Sequence, residues 1–82
     1  MTTNINNKNY DYKYTIDEKL KKLSKEEYKR AIKDIPRLLD ISERQFQNYR
    51  YAKKDSNTNM TADKLHKLSK FFNCCMEDLL NL

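Results

Sequence analysis

The chain has 82 residues, a formal net charge of +5, one Pro and no Gly. This length is one domain. The lack of Gly excludes a phosphate-cradling Gly loop and argues against a turn-rich sheet protein, while the many Lys, Glu, Asp and Leu residues favour helices.

No apolar run approaches the length of a membrane span. The start, Met1-Thr-Thr-Asn-Ile-Asn-Asn7, lacks a hydrophobic signal segment. The expectation is a soluble, cytoplasmic protein without a membrane partner. Residues 42–59 carry 4 basic and 2 acidic side chains, whereas residues 60–82 carry 3 of each. The basic excess therefore lies before and within the middle of the chain, which is compatible with a polyanion partner. Cys74 and Cys75 are adjacent and make a poor structural disulfide. With His66 the sole histidine there is no credible metal set, and no cofactor is expected. The two thiols are read as reduced, one buried and one near a helix start.

Residues 1–9 are polar and Asn-rich, without an apolar period. Tyr10, Tyr12, Tyr14 and Ile16 then alternate with polar residues at the strand period. Two readings stand: an arm whose tyrosines lie on the helices, or a strand that pairs with the same arm of a second subunit. The division expected is a flexible arm over 1–14 and a helical domain over 15–82. Thr15 and Glu18 have capping-box spacing, with Leu20 and Leu23 as the apolar marks of the helix that follows. Ser24 and Glu27 form a second capping box, and Leu23 and Tyr28 sit at staple positions, so a break is expected near Leu23–Ser24. The next helix carries Tyr28, Ala31, Ile32 and Ile35 inward. Pro36 is tolerated only in a first turn, which predicts a separate short helix over 35–39, capped by Asp34. Asp40 ends it in the left-handed conformation.

Ser42 then caps a helix ending near Ala52–Lys54. Phe46 and Tyr49 fall on one face of it; Arg44, Gln47, Asn48 and Tyr51 fall roughly opposite. These long polar side chains can read base edges in a DNA groove. A merely solvated face is the competing reading. Helix, tight turn with apolar Ile41, and helix make a helix-turn-helix. Residues 55–59 are a polar loop. Thr61 caps a helix with Leu65, Leu68, Phe71 and Phe72 read as core, and Lys64, Lys67 and Lys70 outside. Asn73 takes the left-handed position, and Met76–Leu80 is a last short helix. The fold class is all-α: a compact bundle of about five short helices containing a helix-turn-helix, with a flexible or strand-like N-terminal arm.

Two stretches carry a family resemblance. Asp34-Ile-Pro-Arg-Leu-Leu-Asp-Ile-Ser-Glu-Arg-Gln-Phe-Gln-Asn-Tyr49 is similar to the second helix, turn and recognition helix of the Cro/phage-repressor (XRE-like) type of helix-turn-helix domain. Met60 to Leu80 is similar to the C-terminal part of that family. Asp40 and Asn73 replace glycines usual there. Arg50 stands where the family often has a Glu that pairs with a basic residue of the first helix. Residues 24–33 are the candidate for that first helix.

The resemblance implies that the helix from Glu43 lies in the major groove of double-stranded DNA. Arg44 would contact guanine, Gln47 and Asn48 adenine, and Glu43 a cytosine amino group. Ser42, Gln45, Tyr51, Lys53, Lys54 and Arg37 suit phosphates. Tyr51 can equally pack under the following loop. The function expected is a small sequence-specific transcriptional regulator, a repressor of phage or mobile-element type working as a homodimer. The alternative is a protein–protein interaction module, such as a phage- or plasmid-type inhibitor or adaptor on the same scaffold. No nucleophile–base pair is present and Glu26 and Glu27 face different ways, so the chain reads as a binding protein, not an enzyme, with no small-molecule substrate.

Overall fold

The structure, a computed structural model, describes residues 11–81. Among them are four α-helices: α1 Ile16–Lys21, α2 Lys25–Leu39, α3 Glu43–Arg50 and α4 Ala62–Phe71. A one-turn 3-10 helix, Met76–Leu79, follows. The last short helix, expected over Met76–Leu80, is therefore a single 3-10 turn. Buried residues of all these elements converge on one apolar core.

In α1, Ile16 and Leu20 stand one turn apart and both are fully buried. Thr15 precedes the helix, but its hydroxyl does not cap it. The Thr15 Oγ1 donates instead to the Asp78 carbonyl at 2.6 Å, so the first expected capping box is replaced by a tie to the far end of the chain. The second forms as expected. Ser24 Oγ accepts from the Glu27 amide at 3.1 Å and Glu27 Oε1 accepts from the Ser24 amide at 3.1 Å. This reciprocal pair restarts the helix after the break at Leu23 and Ser24.

Pro36 does not open a new helix. It lies buried inside α2, which runs without interruption through 15 residues. The ring removes the donor that would have met the Ile32 carbonyl, and an interior Pro costs about 3 kcal/mol. Ala31, Ile35 and Leu39 form one buried stripe at i, i+4 and i+8, on which the helix must stay continuous. Burying Ile35 and Leu39 contributes about 1.5–3 kcal/mol each, which outweighs the Pro. Residues 24–33 are accordingly the cap and first part of α2, and α1 is the helix that precedes it.

Both glycine substitutes behave as glycine does. Asp40 has φ 57° and Asn73 φ 54°. Each closes a Schellman motif: the Ile41 amide donates to the Pro36 carbonyl at 2.9 Å, and the Cys74 amide to the Ser69 carbonyl at 2.9 Å. Phe72 is half-buried against the core, but Phe71 is 39% exposed, contrary to its assignment as core. As the last residue of α4 it lies edge-on to Phe72, centroids 5.3 Å apart, instead of continuing the Leu65–Leu68 stripe.

Tyr10 lies outside the described residues, but Tyr12 and Tyr14 form antiparallel bridges within the chain, to Lys53 and Leu80 respectively. Tyr14 is buried, and its hydroxyl oxygen accepts from the Met60 amide at 2.8 Å. The segment 11–15 thus stitches the exit of α3 to the C-terminal end. The Lys13 amide donates to the Ala52 carbonyl at 2.7 Å and the Thr15 amide to the Leu79 carbonyl at 2.9 Å.

Candidate nucleic-acid interface

Helix α3 is fixed at three points. At its start Ser42 Oγ accepts from the Gln45 amide at 3.0 Å, satisfying an N-terminal donor. In its middle Phe46 and Tyr49 are buried in the core. At its end Arg50, 6% exposed, meets Asp17 of α1, 4% exposed. Arg50 Nε and Nη2 both reach Asp17 Oδ1 at 2.7 Å, and Lys21 Nζ reaches the other carboxylate oxygen at 3.0 Å. Burial works against the Arg50 charge, but Tyr28 and Asp17 more than offset it and hold its pKa above the ordinary value. The hydrogen bond from Lys21 to Asp17, aided by the Asp17 charge, likewise raises the Lys21 pKa.

These anchors leave one side of α3 facing out. Glu43, Arg44 and Asn48 are exposed, and Gln47 is half-buried beside them. The four residues proposed to read bases therefore share the outward face. Of the phosphate candidates, Ser42 is exposed at the start of α3, Gln45 is half-buried in its first turn, and Arg37 is exposed in the last turn of α2. Ser42 Oγ spends one lone pair on the cap and keeps its hydroxyl proton for an acceptor. Lys53 and Lys54 are exposed beyond the other end of α3. Lys54 has its amide fixed on the Asp11 carbonyl at 2.8 Å, while Lys53 Nζ lies 4.8 Å from the Tyr12 ring centroid.

Tyr51 is 44% exposed and engaged on two sides. The Arg50 guanidinium lies 5.0 Å from its ring centroid and Tyr12 meets it edge-on at 5.7 Å. With Tyr28 on Arg50 at 5.6 Å, these contacts form a cation–aromatic ladder from α2 to the N-terminal segment. The Tyr51 ring is thus engaged by Arg50 and Tyr12, partners other than the following loop named in the expectation.

Sequence reasoning missed two residues that hold this region. Asp17 was one, and the unusual charge at position 50 was the signal that could have found it. Lys13 was the other: its ammonium donates to the Ser56 carbonyl at 2.9 Å, the Thr58 carbonyl at 2.7 Å and Asn59 Oδ1 at 2.8 Å. It gathers the α3–α4 loop around one cation. No sequence pattern signals this, because the contact spans more than forty residues.

A family model for the Cro/C1-type HTH DNA-binding domain matches residues 19–82. The chain belongs to that family. No curated protein and no solved structure matches it. The match to the Cro/C1-type HTH domain begins within α1 and takes in all of α2, α3 and α4. In this Cro/C1-type domain Arg50 of α3 pairs with an acidic residue of the first helix, which reverses the polarity expected from the resemblance. No described helix is long and apolar enough to cross a membrane.

Proposed function

We propose that the protein is a sequence-specific regulator of transcription, a repressor, that places α3 in the major groove of double-stranded DNA and binds as a homodimer. The observation that carries this reading is the division of α3. Phe46, Tyr49 and Arg50 are buried behind it, while Glu43, Arg44, Gln47 and Asn48 share its outward side. A helix held from behind presents those side chains in a defined register.

Arg44 then pairs with guanine O6 and N7, Gln47 and Asn48 with adenine, and Glu43 with a cytosine amino group. Arg37, Ser42, Gln45, Lys53 and Lys54 take phosphates, and Tyr51 offers only its hydroxyl there, since its ring is committed. One short helix buries little surface, so two copies on a two-fold site supply the affinity.

Selection of bound sequences from a random duplex pool tests this. The expected product is a palindrome with half-sites about 34 Å apart, one helical turn. Binding without any enriched sequence would overturn the base-reading role, and a single unrepeated half-site would overturn the homodimer.

A further inference from the structure

The N-terminal half of α2 and helix α1 enclose a groove that the helix-turn-helix does not use. Its volume is about 530 Å³, the size range of ligand-binding clefts. Half-buried Leu23 and Tyr28 supply apolar and aromatic surface above the buried Leu20, while Lys21, Lys25 and Lys29 stand around it. Arg50 closes the end. Glu43 and Arg44 stand at the opposite end of the 8-residue α3, about 9–10 Å away along the helix.

The charge of this groove is not balanced from within. Asp17, whose carboxylate meets two of the lining cations, is buried and fully engaged by them, Arg50 and Lys21. Among the described residues neither Lys25 nor Lys29 makes an ion pair. Glu27 is spent on the capping box, and Glu26 is exposed on the neighbouring position of α2. A DNA backbone would use the lysines but leave the apolar surface uncovered. A second copy meeting this groove with the same face would set lysine against lysine.

From this we infer that the groove docks an acidic peptide segment of a partner protein, one that seats apolar side chains against Leu23 and Tyr28 and sets carboxylates against Lys25 and Lys29. Helix-in-groove recognition has this chemistry: apolar anchors inside and charge at the rim. The surface lies outside the reading face of α3 and is independent of the DNA-binding proposal.

The test uses the full chain and a labelled peptide of about 14 residues made of Glu, Asp, Leu and Phe, with apolar residues at i, i+3, i+4 and i+7. Fluorescence anisotropy at low ionic strength should show binding that weakens with added salt. Lys25→Gln with Lys29→Gln should weaken it about fivefold, the size expected for two exposed charge pairs. Replacing the peptide's Leu and Phe by Ser should abolish binding, and Arg44→Ala should leave it unchanged. Absence of binding, indifference to the two lysine substitutions, or equal binding of the Ser-substituted peptide would each overturn the proposal. The last result would mark the face as a general polyanion contact.

Discussion

Arg50, the last residue of the outward-facing helix, is buried against Asp17 of the first helix, with two guanidinium nitrogens 2.7 Å from one carboxylate oxygen. Removing one member of such a pair leaves the other charged and uncompensated, which costs about 3–5 kcal/mol. Asp17→Leu and Arg50→Met should each lose stability on that scale in urea unfolding. The double variant should recover at least about 2 kcal/mol of the summed loss, because two apolar residues need no partner. Simple additivity of the two losses would show that the pair does not act as a unit.

Arg44 and Lys54 separate specificity from affinity. Arg44→Ala should cost about 1–3 kcal/mol on the selected sequence and little on random duplex. Lys54→Ala should weaken both about equally and lower the salt slope by about 1. Equal loss on every sequence for Arg44→Ala would remove it from base reading.

Asp40 sits at φ 57° at the end of α2, where a Cβ is a burden. Asp40→Gly should therefore raise stability by a few tenths of a kcal/mol, about 0.5 kcal/mol at most, since Gly regains only part of that in a more flexible unfolded chain. Asp40→Ala should lower it by about 1 kcal/mol. Thermal unfolding of the two variants checks the order.

The hydrogen bond from the Ser24 backbone, followed by that with its side chain, holds the Glu27 carboxyl below the ordinary carboxylate range. A carboxyl depressed in the folded state contributes stability above its unfolded pKa and loses it as pH falls through the folded value. Glu27→Gln keeps an acceptor but has no charge to lose. The wild type should unfold at a higher temperature than this variant at about pH 7, and the difference should shrink as the pH falls through and below the ordinary carboxylate range. A constant difference across that range would detach the charge from the cap.

Cys74 is half-buried and Cys75 exposed, both as free thiols. Burial pushes the Cys74 thiol up, which keeps it protonated at neutral pH. Iodoacetamide near pH 8 should modify Cys75 at least about tenfold faster, and the Cys74 rate should go on rising above the ordinary thiol range. Peptide mass mapping over a time course reads both rates, and equal rates would contradict the burial of Cys74.

Much of the architecture was legible because it is written in local chemistry. The Ser24 and Ser42 caps, the left-handed Asp40 and Asn73, and the inward Phe46 and Tyr49 each depend on neighbours within a few residues. The same spacing placed Arg44, Gln47 and Asn48 together on the outward side of α3. The failures share a cause. Pro36 signals a helix start locally, but the stripe Ala31, Ile35 and Leu39 carries the helix through it. Thr15 has the spacing of a cap, yet its hydroxyl is claimed by Asp78 from the far end of the chain.

By itself the sequence determined a helical chain, the caps at Ser24, Ser42 and Thr61, and the polar outer face of the second helix of a helix-turn-helix, since helical period and capping act over one or two turns. Only the tertiary structure decided the partner of Arg50, the Lys13 clamp on the α3–α4 loop and the intrachain pairing of Tyr12 and Tyr14. Those contacts join residues more than thirty positions apart, and no local pattern selects among distant partners until the core has brought them together.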